Sequence, residues 1–227
     1  MRETILVLDF GGQYNQLIAR RVRECGVYCE VRPFTMTAEE IRRMAPKGII
    51  LTGGPNSVYD MTSPHGDPAI FDMGIPVLGI CYGAQLMAFT LGGKVATAPV
   101  SEYGRTEVTI LKKTGLLADM ADETVTWMSH TDYIEKMPDG FEATACTPVC
   151  PVAAMENEER KLYGLQFHPE VTHSEEGMKM LSAFVYRSCG CSGDWKMNSF
   201  VEEMISAVRS KVGSGRVLCA LSGGVDS

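Results

Sequence analysis

The most constraining feature of this sequence is an apolar run that ends at a cysteine between two glycines, Gly79-Ile80-Cys81-Tyr82-Gly83. The residues before it, 76–80, predict a buried strand of a parallel sheet. The residues after it, 84–91, are apolar and compatible with a helix. This order of strand, sharp turn and helix is the cysteine counterpart of a nucleophile elbow.

Cys81 is therefore a candidate nucleophile. The N-terminus of a helix favours a thiolate, because its free N–H groups and the helix dipole attract negative charge. The backbone N–H of Tyr82 follows directly and is placed to stabilise an oxyanion. The alternative interpretation is a structural cysteine buried between strand and helix, which is the commoner role of a free cysteine.

Strand and helix patterns alternate over the first ninety residues. Apolar strand patterns at 4–10, 27–34 and 48–52 precede the Cys81 strand, with helix patterns between them. This alternation predicts an α/β fold with an open mixed sheet: a parallel core flanked by helices, to which short β-like segments between residues 94 and 167 add antiparallel strands.

The third strand pattern ends at Gly53-Gly54-Pro55. Ligands of such sheets bind at the carboxyl ends of strands, so this turn and Cys81 should share one crevice. Gly54 could then offer a second N–H to the oxyanion. Taken alone, the Gly-Gly-Pro turn is equally typical of an ordinary loop.

A histidine and a carboxylate stand together in His168-Pro169-Glu170. If residues 168 and 170 continue a strand, their side chains face the same side. With Cys81 they would complete a thiol triad in which Glu170 orients His168. A surface loop is the simpler alternative. His130 could also line the crevice, although a solvated loop is equally compatible with its surroundings.

Composition excludes several classes of function. The chain has 227 residues, 45% of them hydrophobic, and a net charge of −7, which disfavours a nucleic-acid polymer as partner. No apolar run is long enough for a membrane span. The eight cysteines follow no secretory signal and predict reduced thiols in the cytoplasm. Their spacing does not match a zinc site, so no metal is expected.

The C-terminal part predicts the beginning of a second domain. We expect one domain over residues 1–190, and a linker, helix, strand and loop over residues 191–227. The predicted strand at 216–221 leads into a Ser/Gly-rich loop of the kind that binds phosphates through backbone N–H groups. That loop comprises Ser222, Gly223, Gly224, Val225, Asp226 and Ser227. It is not a Walker loop, because no Gly-Lys-Ser/Thr follows.

Three motifs together resemble the class I (triad) glutamine amidotransferase domain. They are Gly53-Gly54-Pro55, the Cys81 elbow with Gln85, and His168-Pro169-Glu170. The resemblance implies a flavodoxin-like fold over about residues 1–190 and hydrolysis of glutamine by Cys81, His168 and Glu170. It also implies an oxyanion hole at Gly54 and Tyr82, with Gln85 helping to hold glutamine.

Four further stretches are similar to one subgroup of that family, in which the released ammonia aminates xanthosine monophosphate (XMP). They are residues 8–14, 19–24, 168–173 and 221–227. The last resembles the pyrophosphate loop of an ATP-pyrophosphatase domain, so Ser222 to Ser227 would form part of an ATP site. The resemblance implies ATP and magnesium as requirements of the complete enzyme, and a homodimer. The glutaminase part itself implies no cofactor.

Three alternatives stay open. Another triad amidotransferase, such as one for anthranilate or carbamoyl phosphate, would share the Cys81 chemistry but would not explain residues 222–227. A thiol hydrolase of peptides or esters could use the same elbow, and a substrate panel separates it from a glutaminase. A non-catalytic regulatory module could keep the fold, and its thiol would then not react with glutamine-like electrophiles.

Overall fold

A computed structural model describes residues 2–219 of the chain. It divides into two compact units, Met1–Asp194 and Trp195–Ser227. In the first unit the strands are β1 (Thr4–Asp9), β2 (Tyr28–Pro33), β3 (Gly48–Leu51), β4 (Val77–Ile80), β5 (Lys94–Ile110), β6 (Glu123–Lys136), β7 (Glu142–Cys146), β8 (Ala154–Asn157) and β9 (Leu162–Leu165). The helices are α1 (Asn15–Glu24), α2 (Ala38–Met44), α3 (Tyr82–Thr90) and α4 (Gly177–Ala183), and the second unit contains α5 (Met197–Val212).

The strands form one sheet in the order β2-β1-β3-β4-β9-β8-β7-β5-β6. Pairing is parallel from β2 to β9 and antiparallel from β9 to β6. The predicted α/β class, with a parallel core and added antiparallel strands, is confirmed. The four core strands β1, β3, β4 and β9 are almost wholly buried, which explains their continuous apolar sequences.

One prediction within this region was wrong. The segment around residues 163–167 was expected to be an added antiparallel strand, but β9 pairs in parallel with β4, with residue 77 opposite residue 162. Its other edge pairs antiparallel with β8. Strand β9 therefore joins the two halves of the sheet, and short apolar runs do not reveal which direction a strand takes.

The predicted short strands at 95–98 and 107–111 are parts of one long strand, β5. A register shift between Thr97 and Glu102 lets this strand bend without ending. Its partner β6 likewise extends well past the predicted end at Met128. Buried and less buried residues alternate along most of β6, so one face of this ribbon lies against the interior.

The helices agree with the sequence patterns. Helix α2 begins with a capping box at Thr37: its hydroxyl accepts from the Glu40 N–H, and the Glu40 carboxylate accepts from the Thr37 N–H. Helix α4 continues as a π-helical turn over Phe184–Ser188, and its predicted apolar stripe is buried. These helices cover the two faces of the sheet, as the alternating pattern requires.

The second unit contains less secondary structure than the sequence predicts. Helix α5 is present, but residues 216–219 are not a strand. A strand requires a neighbour for its backbone N–H and C=O groups, and the described residues provide none there. The predicted loop Ser222 to Ser227 lies outside the described residues, and the domain boundary at 190 stays a prediction.

The fold leaves no space for a side chain at Gly83. A β-carbon there would lie 2.4 Å from the Leu51 carbonyl oxygen, because the first turn of α3 packs directly on the end of β3. We expect Gly83→Ala to lower the free energy of unfolding by about 1–3 kcal/mol, measured by urea denaturation. Thr90→Ala, at the other end of the helix, should change it by less than about 0.5 kcal/mol. Equal effects of the two substitutions would contradict this account.

Candidate active site

Cys81 occupies the predicted elbow. Its backbone has φ 52° and ψ −109°, a strained conformation for a residue with a side chain. The Cys81 N–H donates to the Leu165 carbonyl oxygen at 2.7 Å, so the turn is tied to β9. Helix α3 begins at the next residue, Tyr82. The cysteine is thus held at a helix N-terminus and is 7% exposed.

His168 and Glu170 lie in a turn after β9 and not on a strand, so the alternation argument used for them was wrong. Their predicted proximity is nevertheless correct. The His168 N–H donates to the Trp127 carbonyl oxygen at 2.9 Å. The Ser174 hydroxyl donates to the His168 carbonyl oxygen at 2.6 Å, and Arg21 Nε donates to the Glu170 carbonyl oxygen at 3.0 Å. These three hydrogen bonds hold the turn against β6, the segment before α4, and α1.

The three side chains of the predicted triad are connected. His168 Nδ1 lies 2.7 Å from Glu170 Oε1, and both groups are buried. The Cys81 side chain borders the same cavity as the His168 ring, and both lie beside the Gly53 backbone. Burial alone would lower the pKa of His168, but its interactions with Cys81 and Glu170 outweigh burial and raise the pKa to about 10. The imidazole is therefore suited to hold a proton on the side of Cys81, while Glu170 keeps the ring oriented.

A cavity of about 560 Å³ opens in front of Cys81. It includes the predicted residues Gly54, Tyr82 and Gln85 as well as His168. The rest of its lining comes from the turns after β1 and β3, the first residue of α1, two residues of β5 and the middle of β6: Gly11, Gly12, Gln13, Tyr14, Asn15, Gly53, Pro55, Asn56, Ser57, Tyr59, Thr97, Tyr103, Ser129, His130, Thr131 and Asp132. The Gly-Gly-Pro turn and Cys81 do share one crevice, as their positions at strand ends predicted.

The predicted oxyanion donors, Gly54 and Tyr82, both border the cavity. A β-carbon on Gly53 would lie 3.2 Å from His168 Cε1 and 3.8 Å from Cys81 Cβ, so this backbone passes beside both side chains. Gly54 follows, and a β-carbon there would lie 2.8 Å from the Phe10 carbonyl oxygen. Tyr82 is the first residue of α3, where backbone N–H groups have no partner within the helix.

The Gln85 side chain is buried at the back of the cavity. Its Nε2 donates to the Asp132 carbonyl oxygen at 2.7 Å and to Gln166 Oε1 at 3.1 Å. Gln166 Nε2 in turn points at Cys81 Sγ, 3.8 Å away. The amide hydrogens of Gln85 therefore hold the wall of the cavity, and only its oxygen is left for another partner.

Strand β6 contributes more to the site than its sequence predicted. His130 borders the cavity, which was one of the two alternatives for it, and Ser129 and Asp132 do so as well. The Ser129 carbonyl oxygen lies 3.7 Å from Cys81 Sγ. The Asp132 carboxylate accepts hydrogen bonds from Tyr59 Oη at 3.0 Å, from Thr97 Oγ1 at 3.1 Å and from the Ser57 hydroxyl. His130, for which a solvated loop was an equal alternative, is buried. The alternation of Thr, Met, His, Asp and Ile at every second position from 124 to 134 is the signal that could have identified this strand.

A second buried cluster lies behind this wall. Glu102, His130 and Cys150 bring potential ligand atoms within 4.8 Å of one another. His130 Nε2 already pairs with Glu102 Oε2 at 3.1 Å, and the Thr147 hydroxyl donates to Glu102 Oε1 at 2.7 Å. Hydrogen bonds thus account for this cluster, and we assign no metal to it.

The other cysteines differ from Cys81 in their surroundings. All eight are free thiols, and each lies among the described residues. Burial raises the pKa of Cys29 and of Cys150 to about 12, so both stay protonated. Neither stands at a helix N-terminus in the cavity. Within residues 2–219, no helix combines the length and apolar character needed to cross a membrane.

Comparisons with known proteins agree with this geometry. The glutamine amidotransferase class-I family matches residues 6–188. A GMP synthase (glutamine-hydrolyzing) of Clostridium botulinum is 66% identical over the whole chain, and one of Clostridium perfringens is 60% identical. The chain spans 44% and 45% of the lengths of these two relatives.

Solved structures show the same fold. A Thermoplasma acidophilum protein named as a GMP synthase subunit is 28% identical, with a TM-score of 0.74 over 90% of this chain and 98% of that one. A Thermotoga maritima glutamine amidotransferase has a TM-score of 0.67 at 17% identity, covering 84% of this chain and 100% of that one. With the family match spanning most of its length, this chain belongs to the class-I glutamine amidotransferases.

Proposed function

We propose that this chain hydrolyses glutamine to glutamate and ammonia through Cys81, His168 and Glu170. The observation that carries the proposal is the cysteine at a strained elbow, beside a buried histidine that is itself oriented by a buried carboxylate. This arrangement matches an activated thiol nucleophile with its general base.

The reaction would pass through a covalent thioester. The Cys81 thiolate attacks the side-chain amide carbon of glutamine, and the carbonyl oxygen becomes an oxyanion. His168 gives its proton to the amide nitrogen, and the C–N bond breaks. Ammonia departs, and the γ-glutamyl group stays bound to Cys81 as a thioester. Water then attacks the thioester carbon while His168 takes its proton, and glutamate departs as the thiolate re-forms.

Neighbouring residues would support these steps. The N–H groups of Gly54 and Tyr82 would donate to the oxyanion, since both border the cavity at Cys81. The Gln85 oxygen would help hold glutamine. The cavity volume of about 560 Å³ suits a free amino acid, whereas a folded polypeptide would need an open groove.

The complete protein would use the ammonia in an ATP-dependent reaction that aminates XMP to GMP. Two features support this proposal: the high identity to proteins named GMP synthase, and the resemblance of Ser222 to Ser227 to an ATP-pyrophosphatase loop. That loop lies outside the described residues, so no step with ATP or magnesium is derived. The amidotransferase domain would occupy residues 1–190, with the ATP-pyrophosphatase domain beginning in residues 191–227.

We also propose a homodimeric, cytoplasmic enzyme. The dimer follows from the resemblance of the whole chain to its relatives. The cytoplasmic location is supported by the eight free thiols, because free cysteines are typical of reducing compartments.

The proposal is tested by incubating the chain with glutamine, asparagine, a peptide amide and a simple ester. We expect glutamate release from glutamine and little turnover of the others. A chloroketone analogue of glutamine should alkylate Cys81, with the site mapped by mass spectrometry. Equal turnover of the ester and glutamine would favour a general thiol hydrolase. A folded chain that neither turns over glutamine nor reacts with the analogue would contradict the proposal.

A further inference from the structure

We propose that Glu102 is a positioning residue for the glutamine pocket: through His130, it fixes the segment of β6 that borders Cys81. This inference rests on the proposed glutaminase function. Glu102 lies outside the cavity lining and outside the triad, so it would act through its neighbours and not on the substrate.

The register of the β5–β6 ribbon brings Glu102 and His130 together. Glu102 is directly opposite His130, at the point where pairing resumes after the irregular stretch that follows Thr97. Both side chains lie on the buried face, with exposures of 8% and 4%. A carboxylate removed from water to this extent requires partners, and facing residues of an antiparallel pair supply them.

Glu102 is itself anchored by the turn between β7 and β8. Its Oε1 accepts from the Thr147 hydroxyl at 2.7 Å. Thr147 Oγ1 accepts from the backbone N–H of Cys150 at 2.9 Å and of Val149 at 3.3 Å. The turn therefore holds one carboxylate oxygen and leaves the other to point at His130.

The orientation of His130 follows from its two partners. Its Nδ1 lies 3.0 Å from the Asp132 carbonyl oxygen, which only accepts hydrogen bonds, so Nδ1 must carry a hydrogen. Its Nε2 lies 3.1 Å from Glu102 Oε2. The pair therefore shares one further proton, and the carboxyl group holds the ring in the orientation that lets Nδ1–H donate to the Asp132 carbonyl oxygen.

The same hydrogen bonds continue to the pocket. The Asp132 carbonyl oxygen held by His130 also accepts from Gln85 Nε2 at 2.7 Å. On the same strand, the Ser129 carbonyl oxygen faces Cys81 Sγ. Glu102 is thus joined by continuous hydrogen bonds to the wall of the cavity. Small displacements of such a wall cost up to about 100-fold in rate or affinity.

The experiment compares Glu102→Ala, Glu102→Gln and Glu156→Ala in the chain. Glu156 is a matched control, since it is another buried carboxyl (7% exposed) that faces Thr114 and Gly115 instead of the pocket. The readouts are the half-saturating concentration and the maximal rate of Cys81 alkylation by the chloroketone analogue. The hydrogen on His130 Nδ1 is followed by NMR, and folding is checked by thermal denaturation.

We expect Glu102→Ala to raise the half-saturating concentration by about 10-fold or more, with a smaller change in maximal rate. Glu102→Gln should recover most of the affinity, because its amide can donate to His130 Nε2 while its oxygen accepts from Thr147. The His130 Nδ1–H should exchange faster with solvent in Glu102→Ala, because the ring loses its second partner, and should keep its exchange rate in Glu102→Gln. Glu156→Ala should leave both the half-saturating concentration and the exchange rate unchanged.

Unchanged affinity in a folded Glu102→Ala, or an equal loss in Glu156→Ala, would overturn the inference. Should Glu102→Ala not fold, Thr147→Val makes the same test, because it removes the donor that anchors the carboxylate. Failure of the unsubstituted chain to react with the analogue would instead refute the glutaminase proposal. The NMR comparison would still decide whether Glu102 orients His130.

Discussion

Replacing Cys81 by alanine should reduce glutamate release by at least about 10⁴-fold. The reaction proposed here passes through a thioester, and no other sulfur borders the cavity within the described residues. Binding of glutamine should persist, because the wall formed by Gly54, Gln85 and Asp132 does not depend on the thiol. Isothermal calorimetry with glutamine, beside a glutamate-release assay, separates these two effects.

Cys146→Ala is the control for this substitution. Cys146 is partly exposed on β7 and is not part of the cavity, so its replacement should leave glutamate release within about two-fold of the original. Residual turnover of a few per cent in Cys81→Ala would mean that water can attack glutamine without covalent catalysis. Such a result would assign the triad a role other than the one proposed.

Glu170→Gln should have the second largest effect, lowering the rate of glutamate release by about 10²–10⁴-fold. The amide can still accept from His168 Nδ1–H, but it carries no charge to stabilise an imidazolium. Its NH₂ group would occupy the place of Glu170 Oε2, which is buried and has no hydrogen-bond partner among the described residues. The substitution therefore removes a charge and introduces an unpaired donor.

The same substitution should lower the pKa of His168, which is about 10 in the intact site. Burial already lowers this pKa, and the charge and hydrogen bond of Glu170 are among the causes that raise it. Because the folded pKa exceeds the ordinary value of 6.5, the group stabilises the fold below pH 6.5, and this contribution is lost as the pH rises toward 10. In Glu170→Gln this contribution should be smaller, and its loss should be complete at a lower pH. A histidine pKa measured by NMR that does not change would show that Glu170 does not set it.

The sequence was sufficient for the parallel half of the fold. Strands such as β3 and β4 are buried on both faces, so their apolar runs stand out, and the turns after them contain glycine where space or backbone geometry demands it. Strand β9 is equally apolar and buried. Whether a strand pairs in parallel or antiparallel depends on its neighbours, and a short apolar sequence does not reveal it. The register shift that makes β5 one continuous strand is a tertiary effect with no local signal.

The candidate site likewise has a part that local motifs predict and a part that depends on tertiary pairing. Cys81, His168 and Glu170 could be predicted because each stands in a short motif whose chemistry is recognisable, even though the strand geometry assumed for residues 168–170 was wrong. The roles of Glu102, Ser129 and Asp132 could not, because pairing between distant parts of the chain decides which side chains and carbonyl groups face the pocket or the wall behind it. A carboxylate in a polar stretch resembles a surface group until its partners are known.

The position of β9 also has a consequence for synthesis on the ribosome. Strand β4 emerges early and pairs with β3, but its other edge stays open until residues 162–165 arrive to pair with it. The Cys81 N–H is bound by Leu165 of that late strand, and His168 follows directly after it. A nascent chain shorter than this point carries the cysteine without its base. The proposed hydrolysis of glutamine could therefore begin only after nearly the whole first unit has been translated and folded.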